Sequence, residues 1–537
     1  MPANPKTPSE APSPILREPV APHGAKPVSK GLPMTSKWDP ERLAREVAEL
    51  KALESKPFLA RAGGYIKRTG PGLLQSAMTL GAGSAAASVM AGASFGYKLL
   101  WVQPVGMFLG VCMLAALGNV VLTTGERPYR AFGRELSRVL VFFWALGTVV
   151  ASVIWHFPQY TLAAGAARDL VGTLGGLTLQ TGSGAEMALT TAGLAVSIGT
   201  GLLILSLNMF TTWNYGSGSR GIKLYEWFLR GVIALVILSF GIVVVANFAS
   251  IQWAEVGKGF IGWYGIPEVE PRAGLTAANM DTVTLVLGML GAAVGINMTF
   301  LYPYSLLAKG WGEHHKTLSR WDLGMSMFLP FLLATSLVVL AMTVGGVYDP
   351  NNEMIRTEIS PLKAAGSLSS VMGEHLGRII FNLGLIGMTC GAVSAHMVVC
   401  GFTLCEMFGL EYTTTRYRMF TLVPAVGILG VVFNINKVIW FPVVASAICF
   451  TMLPIAYLIF LVMNNKRSYI GDAVGRGLGR AVFNVLLVIA LGLATVGAII
   501  KIQGGVVKPV RQWLEERQAQ AGPQASPEPV AVARGEG

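Results

Sequence analysis

Eleven stretches of apolar residues, each long enough to cross a lipid bilayer, follow one another along this 537-residue chain. They fall near 72–95, 99–123, 137–165, 187–213, 224–250, 283–309, 322–347, 378–406, 416–435, 438–463 and 480–502. A spanning helix needs about 20 apolar residues, so the solvent for this chain is lipid. Composition agrees: 13% of residues are charged, against about 25% in a soluble domain. The net charge of +12 would suggest nucleic acid in a soluble protein. Here the basic residues flank apolar segments, where they anchor and orient helices, and no nucleic-acid partner is expected.

The flanks divide the chain. Residues 1–56 read as a tail, rich in Pro, Ala, Ser and Lys up to 36 and without the pattern of a signal peptide. Within it a short amphipathic helix spans 39–55, with Asp39 as cap, Pro40 at its first position and Leu43, Val47 and Leu50 on one stripe. Such a helix lies at the interface or docks. Residues 57–505 form the membrane domain, and 506–537 a second disordered tail. The five cysteines, Cys112, Cys390, Cys400, Cys405 and Cys449, all lie in apolar segments, so no disulfide framework is expected.

Loop charge sets the orientation. Basic clusters recur in alternate loops: Arg127, Arg130, Arg134 and Arg138; Arg220 and Lys223; Lys309, Lys316 and Arg320; Arg416 and Arg418; Lys466, Arg467, Arg476 and Arg480. The intervening loops carry fewer: Arg168; Lys258 and Arg272; Arg356 and Lys363; Lys437. The N-terminus is therefore expected inside and, after eleven spans, the C-terminus outside. A bacterial inner (plasma) membrane is the expected location.

Two spans are interrupted. The first, GPGLLQSAMTLGAGSAAASVMAGASFGYKLLW, carries Gly81, Ala82, Gly83 and Ser84 at its middle; the sixth carries Gly291, Gly295 and Pro303. Small residues at mid-depth weaken a helix and let the backbone approach something closely. In transporters of the broken-helix kind such breaks form the substrate site. They also serve ordinary close helix packing. The two lie five spans apart, so 72–250 and 283–463 could be inverted halves of one fold, with 480–502 an added helix.

The stretch GPGLL…AGASFGYKLLWV resembles the first span of the Nramp family of divalent-metal transporters. Gly221-Ile-Lys-Leu-Tyr-Glu226, Gly288–Gly310, Arg416–Val426 and Leu453-Pro454 with Asn465–Asp472 are similar to that family's fifth, sixth, ninth and tenth helices, in order and spacing. The resemblance implies an all-α integral membrane protein of about eleven helices, with the LeuT-like 5+5 inverted repeat and broken helices one and six. It also implies a secondary transporter working by alternating access, not an enzyme, without a resident cofactor. A divalent metal ion is then the substrate; oligomeric state stays open, with a monomer sufficient.

The site departs from the family pattern. The metal motif Asp-Pro-Gly-Asn falls on Gly81, Ala82, Gly83 and Ser84. The helix-six motif Met-Pro-His falls on Gly295, Ile296 and Asn297, its second histidine on Tyr302. The acidic pair of helix three falls on Trp155 and Gln159, and the helix-ten glutamine on Met452. Glu226, Asp281, Asp322 and Glu406 lie at span ends, so no carboxylate sits at mid-membrane, where an isolated charge is costly.

Two readings of the substrate follow. In one, a Mg²⁺- or Mn²⁺-class ion keeps much of its water and meets backbone carbonyls at the breaks with Ser84 and Asn297 as metal-facing groups, and Thr299, Met298 and Met452 nearby. Only His156 and His396 could then titrate near neutral pH within the membrane, so proton coupling is expected to be weak or absent. In the other, Trp155, His156, Phe300, Tyr302 and Tyr304 line an aromatic pocket for a small organic solute. A membrane sensor without flux is a third possibility. Gly216–Gly221 fits G-x-G-x-x-G but follows no strand, and Glu313-His314-His315 reads as a solvated loop.

Overall fold

The computed structural model describes residues 40–182, 186–215, 219–268, 282–351, 353–357, 359–410, 414–433, 436–508, 510–511 and 515. Residues 1–39 of the first expected tail, most of the second, Asp281, Arg272 and residues 216–218 of the glycine motif lie outside those residues, and the side chain of Glu226 is not described.

The chain is an assembly of apolar helices. Helix α1 (Pro40–Glu54) and α2 (Phe58–Ile66) precede the first span, which is split into α3 (Pro71–Thr79) and α4 (Ala82–Phe95). Next come α5 (Val102–Thr124), a short α6 (Pro128–Glu135) and α7 (Arg138–Gly175). A two-residue hairpin, β1 (Gln180–Thr181) against β2 (Ala188–Leu189), leads into α8 (Thr191–Tyr215), α9 (Ser219–Ala246) and α10 (Trp253–Phe260). The sixth span is again split, into α11 (Thr282–Ala293) and α12 (Ile296–Ala308). Then follow α13 (Lys316–Asp322), α14 (Leu329–Val344), α15 (Pro361–Met372), α16 (Glu374–Met407) and α17 (Thr414–Thr421). The last are α18 (Trp440–Phe450), α19 (Leu453–Asn465), α20 (Arg467–Ile470) and α21 (Leu478–Ile502). Both split spans are almost wholly buried, whereas α8 and α21 turn much of their apolar surface outward, as lipid-facing helices do.

Among the described residues seven helices are individually long and apolar enough to span a bilayer. One of the seven, Glu313–Val344, is irregular within, and of the other expected spans several are divided, for local reasons. Pro330 lacks an N–H and its ring crowds the preceding turn, and residues 323–328 before α14 widen into a π-helix. The expected span at 416–435 is not one α-helix: α17 stops at Thr421 and Val423–Val432 continues as a 3-10 helix behind Pro424. Residues three apart eclipse in a 3-10 helix, which lines up Gly427 and Gly430 against α7. A Cβ on them would lie 2.3 Å from His156 Cβ and 2.2 Å from the Phe157 carbonyl oxygen. The third span is longer than its expected 137–165, reaching Gly175.

The basic loops gather at one end. Glu406, fully buried, pairs with Arg130 (3.1 Å) and Arg127 (3.5 Å). Lys466 reaches Glu135, Arg134 bridges Glu126 and Glu135, and Tyr469 donates to Glu126. Helix α1 buries Leu50 and Leu53 at this end, so it docks on the protein rather than lying free.

Candidate functional site

Helix α3 ends where Leu80 leaves helical geometry and Gly81 becomes extended (φ −102°, ψ −165°). The break is therefore Leu80–Gly81; Ala82, Gly83 and Ser84, expected within it, already form the first turn of α4. Four side chains stabilise the opening. Gln159 of α7 accepts from the Ala82 N–H (2.9 Å), one of the donors a helix start leaves without an intrahelical partner. Ser84 turns its hydroxyl back across the gap to the Thr79 carbonyl and, at 3.3 Å, that of Gly81. Ser88 and Gln103 bond one another (2.8 Å) beside the Ser84 carbonyl.

Glycine is required here by space. A Cβ on Gly81 would lie 2.8 Å from Ala392 Cβ, and one on Gly83 2.5 Å from the Trp155 ring and 2.7 Å from Ser446 Oγ. Trp155 thus covers the start of α4, and its ring stands edge-on to His396 (6.0 Å between centroids), which faces His156 (5.3 Å). His156 Nδ1 bonds the Ser152 carbonyl (3.1 Å). Buried and without a hydrogen-bond partner are Gln159 Nε2, His156 Nε2 and His396 Nδ1.

The second break is Val294–Gly295, with Gly295 extended (φ −91°, ψ 160°); Ile296 and Asn297 belong to α12. This opening is capped from within. Asn297 Oδ1 accepts from the Met298 N–H (2.9 Å), and the Met298 thioether lies 3.3 Å from the Gly295 N–H. Asn297 Nδ2 is buried and unpartnered. Thr299 donates to the Ile296 carbonyl and accepts from Trp144 Nε1 (2.8 Å), which fixes it to α7.

The two breaks share neighbours. Ser446 of α18 meets both: a Cβ on Gly291 would lie 2.4 Å from its carbonyl oxygen, just as one on Gly83 would strike its hydroxyl. Gln75 of α3, in the amide orientation that suits its surroundings, donates to the Met298 carbonyl (3.3 Å) and accepts from the Tyr302 N–H (3.1 Å). Met452 lies in the 44° bend between α18 and α19, near Gly147 and hence Ile296. Gly81, Ala82, Gly83, Trp155, Gln159, His156 and His396 are thus brought together on one side, with Gly295, Ile296, Asn297, Thr299 and Met452 around the other.

The expected aromatic pocket is not assembled. Tyr302 turns its hydroxyl to Ser319 (2.7 Å), and Phe300 stacks on Tyr304 (4.9 Å, 3°) and against Trp144. The Phe300 and Tyr304 rings pack instead against Trp144, Tyr129 and Phe402. Asp322 is also spoken for, accepting from the N–H groups of Gly70 (3.2 Å) and Gly72 (2.6 Å) at the start of α3. Gln75, Ser446 and Trp144 carried no motif; a polar residue inside an apolar run was their one signal.

Chemically the breaks offer carbonyl oxygens, two amides and hydroxyls, all neutral. Among the described residues no three of His, Cys, Asp and Glu come close enough to hold a metal. The Asn297 and Gln159 amide N–H groups that lack partners are donors, suited to the oxygen of a free water molecule, whereas the waters around a cation turn their hydrogens outward and would be met by the carbonyl and hydroxyl oxygens.

Known proteins agree with this architecture. A divalent metal cation transporter, MntH, of Brucella suis biovar 1 (strain 1330) is 23% identical over 382 residues, 69% of this chain and 74% of that protein. The MntH of Klebsiella pneumoniae subsp. pneumoniae is 22% identical over 81% of this chain and 94% of its own. A histidine-to-alanine mutant of the Eremococcus coleocola manganese transporter superposes with a TM-score of 0.60 at 17% identity, over 86% of this chain and 92% of that one. The nucleobase-cation-symport-1 family transporter MHP1, closed around bromovinylhydantoin, gives 0.51 at 14% identity, over 84% and 93%. The fold is therefore LeuT-like. The model of the Nramp family, described as natural resistance-associated macrophage protein-like, matches residues 72–500, and the chain is an integral membrane protein that belongs to that family.

Proposed function

We propose that this protein carries divalent cations of the Mg²⁺ or Mn²⁺ class across the membrane by alternating access. The ion passes between the Leu80–Gly81 and Val294–Gly295 breaks with part of its water shell retained. The observation that carries this reading is the neutrality of the breaks within a fold of metal-transporting relatives. A stripped divalent ion needs anionic ligands at this depth, whereas Mg²⁺ keeps several waters in its sites. The carbonyls ending α3 and α11, Ser84 Oγ and the remaining lone pairs of Asn297 Oδ1 and Gln159 Oε1 then accept from the ion's water. Without a carboxylate beside them, movement is weakly or not coupled to protons. The basic end, holding α1, α2, α6 and α20, faces the cytoplasm, and 72–250 and 283–463 act as the two inverted halves.

Purified protein in liposomes loaded with a metal-sensitive dye tests this reading. Saturable entry of Mg²⁺ or Mn²⁺, lost in Gly83→Val, is the expected result. No metal entry from protein shown to be folded would overturn it and leave an organic solute or a sensor.

A further inference from the structure

Helix α7 has 38 residues, about 57 Å at 1.5 Å each, so its last turns stand beyond a hydrocarbon layer about 30 Å thick. Arg168 sits there, about 20 Å along the helix from Trp155, at the end opposite the basic loops. Its side chain is 3% exposed. Nη1 donates to Ser197 of α8 (2.8 Å). Nε and Nη2 are buried and have no partner among the described residues.

The neighbouring acid does not supply the missing charge. Asp169 is engaged by Arg378 at 2.5 Å and 3.3 Å and by Asn382 at 2.6 Å. Arg168, Asp169 and Arg378 line one cavity of about 470 Å³, together with the polar side chains of Gln180, Ser360 and Asn436. Arg378 is taken up by Asp169 and by Glu374 (3.4 Å), so the idle cationic donors beside the cavity are those of Arg168. A buried unpaired charge is strongly destabilising. The two idle donors, Nε–H and Nη2–H, are also the parallel pair with which arginine grips a carboxylate through both oxygens.

We propose that this cavity binds a small carboxylate-bearing solute, whose two oxygens take the Arg168 Nε–H and Nη2–H. The site is separate from the breaks, and it stands whether or not the metal reading above does. The cavity lies within the usual range for small-molecule sites, about 300–1,000 Å³, with room for a solute of several carbons.

The test uses the full-length purified protein in detergent, with succinate and acetate as probes and chloride at equal ionic strength as control, read by calorimetry and thermal shift. Expected are saturable carboxylate binding and a raised Tm, neither given by chloride. Arg168→Gln should weaken binding at least tenfold. Arg168→Lys, which keeps the charge and the fold but not the fork, should also weaken it about tenfold. Equal protection by chloride, wild-type affinity in the lysine variant, or no carboxylate binding to folded wild type would each overturn the proposal.

Discussion

The centre of this molecule and its basic end solve opposite electrostatic problems. At the end, charge is concentrated and paired: Glu406 with Arg127 and Arg130, Asp322 with the N–H groups of Gly70 and Gly72. At the centre the two breaks are held open by Gln159, Ser84, Asn297 and Met298, without a formal charge. The difference separates two tasks. Buried charge at the end is matched by its partners and fastens neighbouring helices, while the breaks present dipoles alone; on the proposed reading a cation there meets those dipoles and its own water, with no carboxylate to share with a proton.

The comparison can be broken hardest at Gly83. Gly83→Val would drive methyl groups into Trp155 and Ser446, and overpacking of this kind costs about 1–3 kcal/mol or more. Liposome uptake should fall to background while the protein still reaches the membrane; wild-type flux would remove the breaks from the route. Next is Asp322→Asn. It removes a charged acceptor from the start of α3, a bond worth about 1.5–3 kcal/mol. Protease accessibility of α3 should rise, with metal affinity at the breaks little changed.

Gln159→Leu leaves the buried Ala82 N–H without an acceptor, at about 1–3 kcal/mol. Metal uptake should show a raised KM with a smaller effect on the maximal rate, and Gln159→Glu should recover the acceptor. Ser84→Asp sharpens the contrast from the other direction by placing a carboxylate at the centre. Mn²⁺ affinity should rise about tenfold, roughly 1.4 kcal/mol, and uptake should become pH-dependent, as measured by dye entry at stepped external pH.

The smallest effect is at Glu135. Lys466 and Arg134 hold its carboxyl below the usual carboxylate range. Because the folded value is the lower one, its stabilisation is complete above the unfolded value near 4.5 and fades as pH falls through the folded value. Glu135→Gln should cost under about 1 kcal/mol at pH 7, and the Tm difference from wild type should vanish in acid.

Most of the fold was legible because lipid imposes one rule, that apolar length makes a span. The small residues Gly81, Gly83, Gly291 and Gly295 marked both interruptions. Their positions were legible only to within a few residues: Gly81 and Gly295 do lie in the breaks, but Ala82, Gly83, Ser84, Ile296 and Asn297 already start the new helices, and Gly291 and Pro303 lie inside α11 and α12. Composition could not show that Tyr302 turns to Ser319 and Phe300 to Trp144, since helix rotation relative to partners is set by packing. Nor could it show the 3-10 course of Val423–Val432, where Gly427 and Gly430 answer to the backbone of α7. Gln75 and Ser446 join the two breaks across distances that sequence spacing does not encode.

The most direct test of the neutral centre is simultaneous measurement of metal and proton entry into liposomes, with and without an imposed pH gradient. The account predicts saturable Mg²⁺ or Mn²⁺ entry whose rate ignores the gradient and which carries no protons with it. Metal entry that stops without the gradient, or that brings a fixed number of protons per ion, would contradict it.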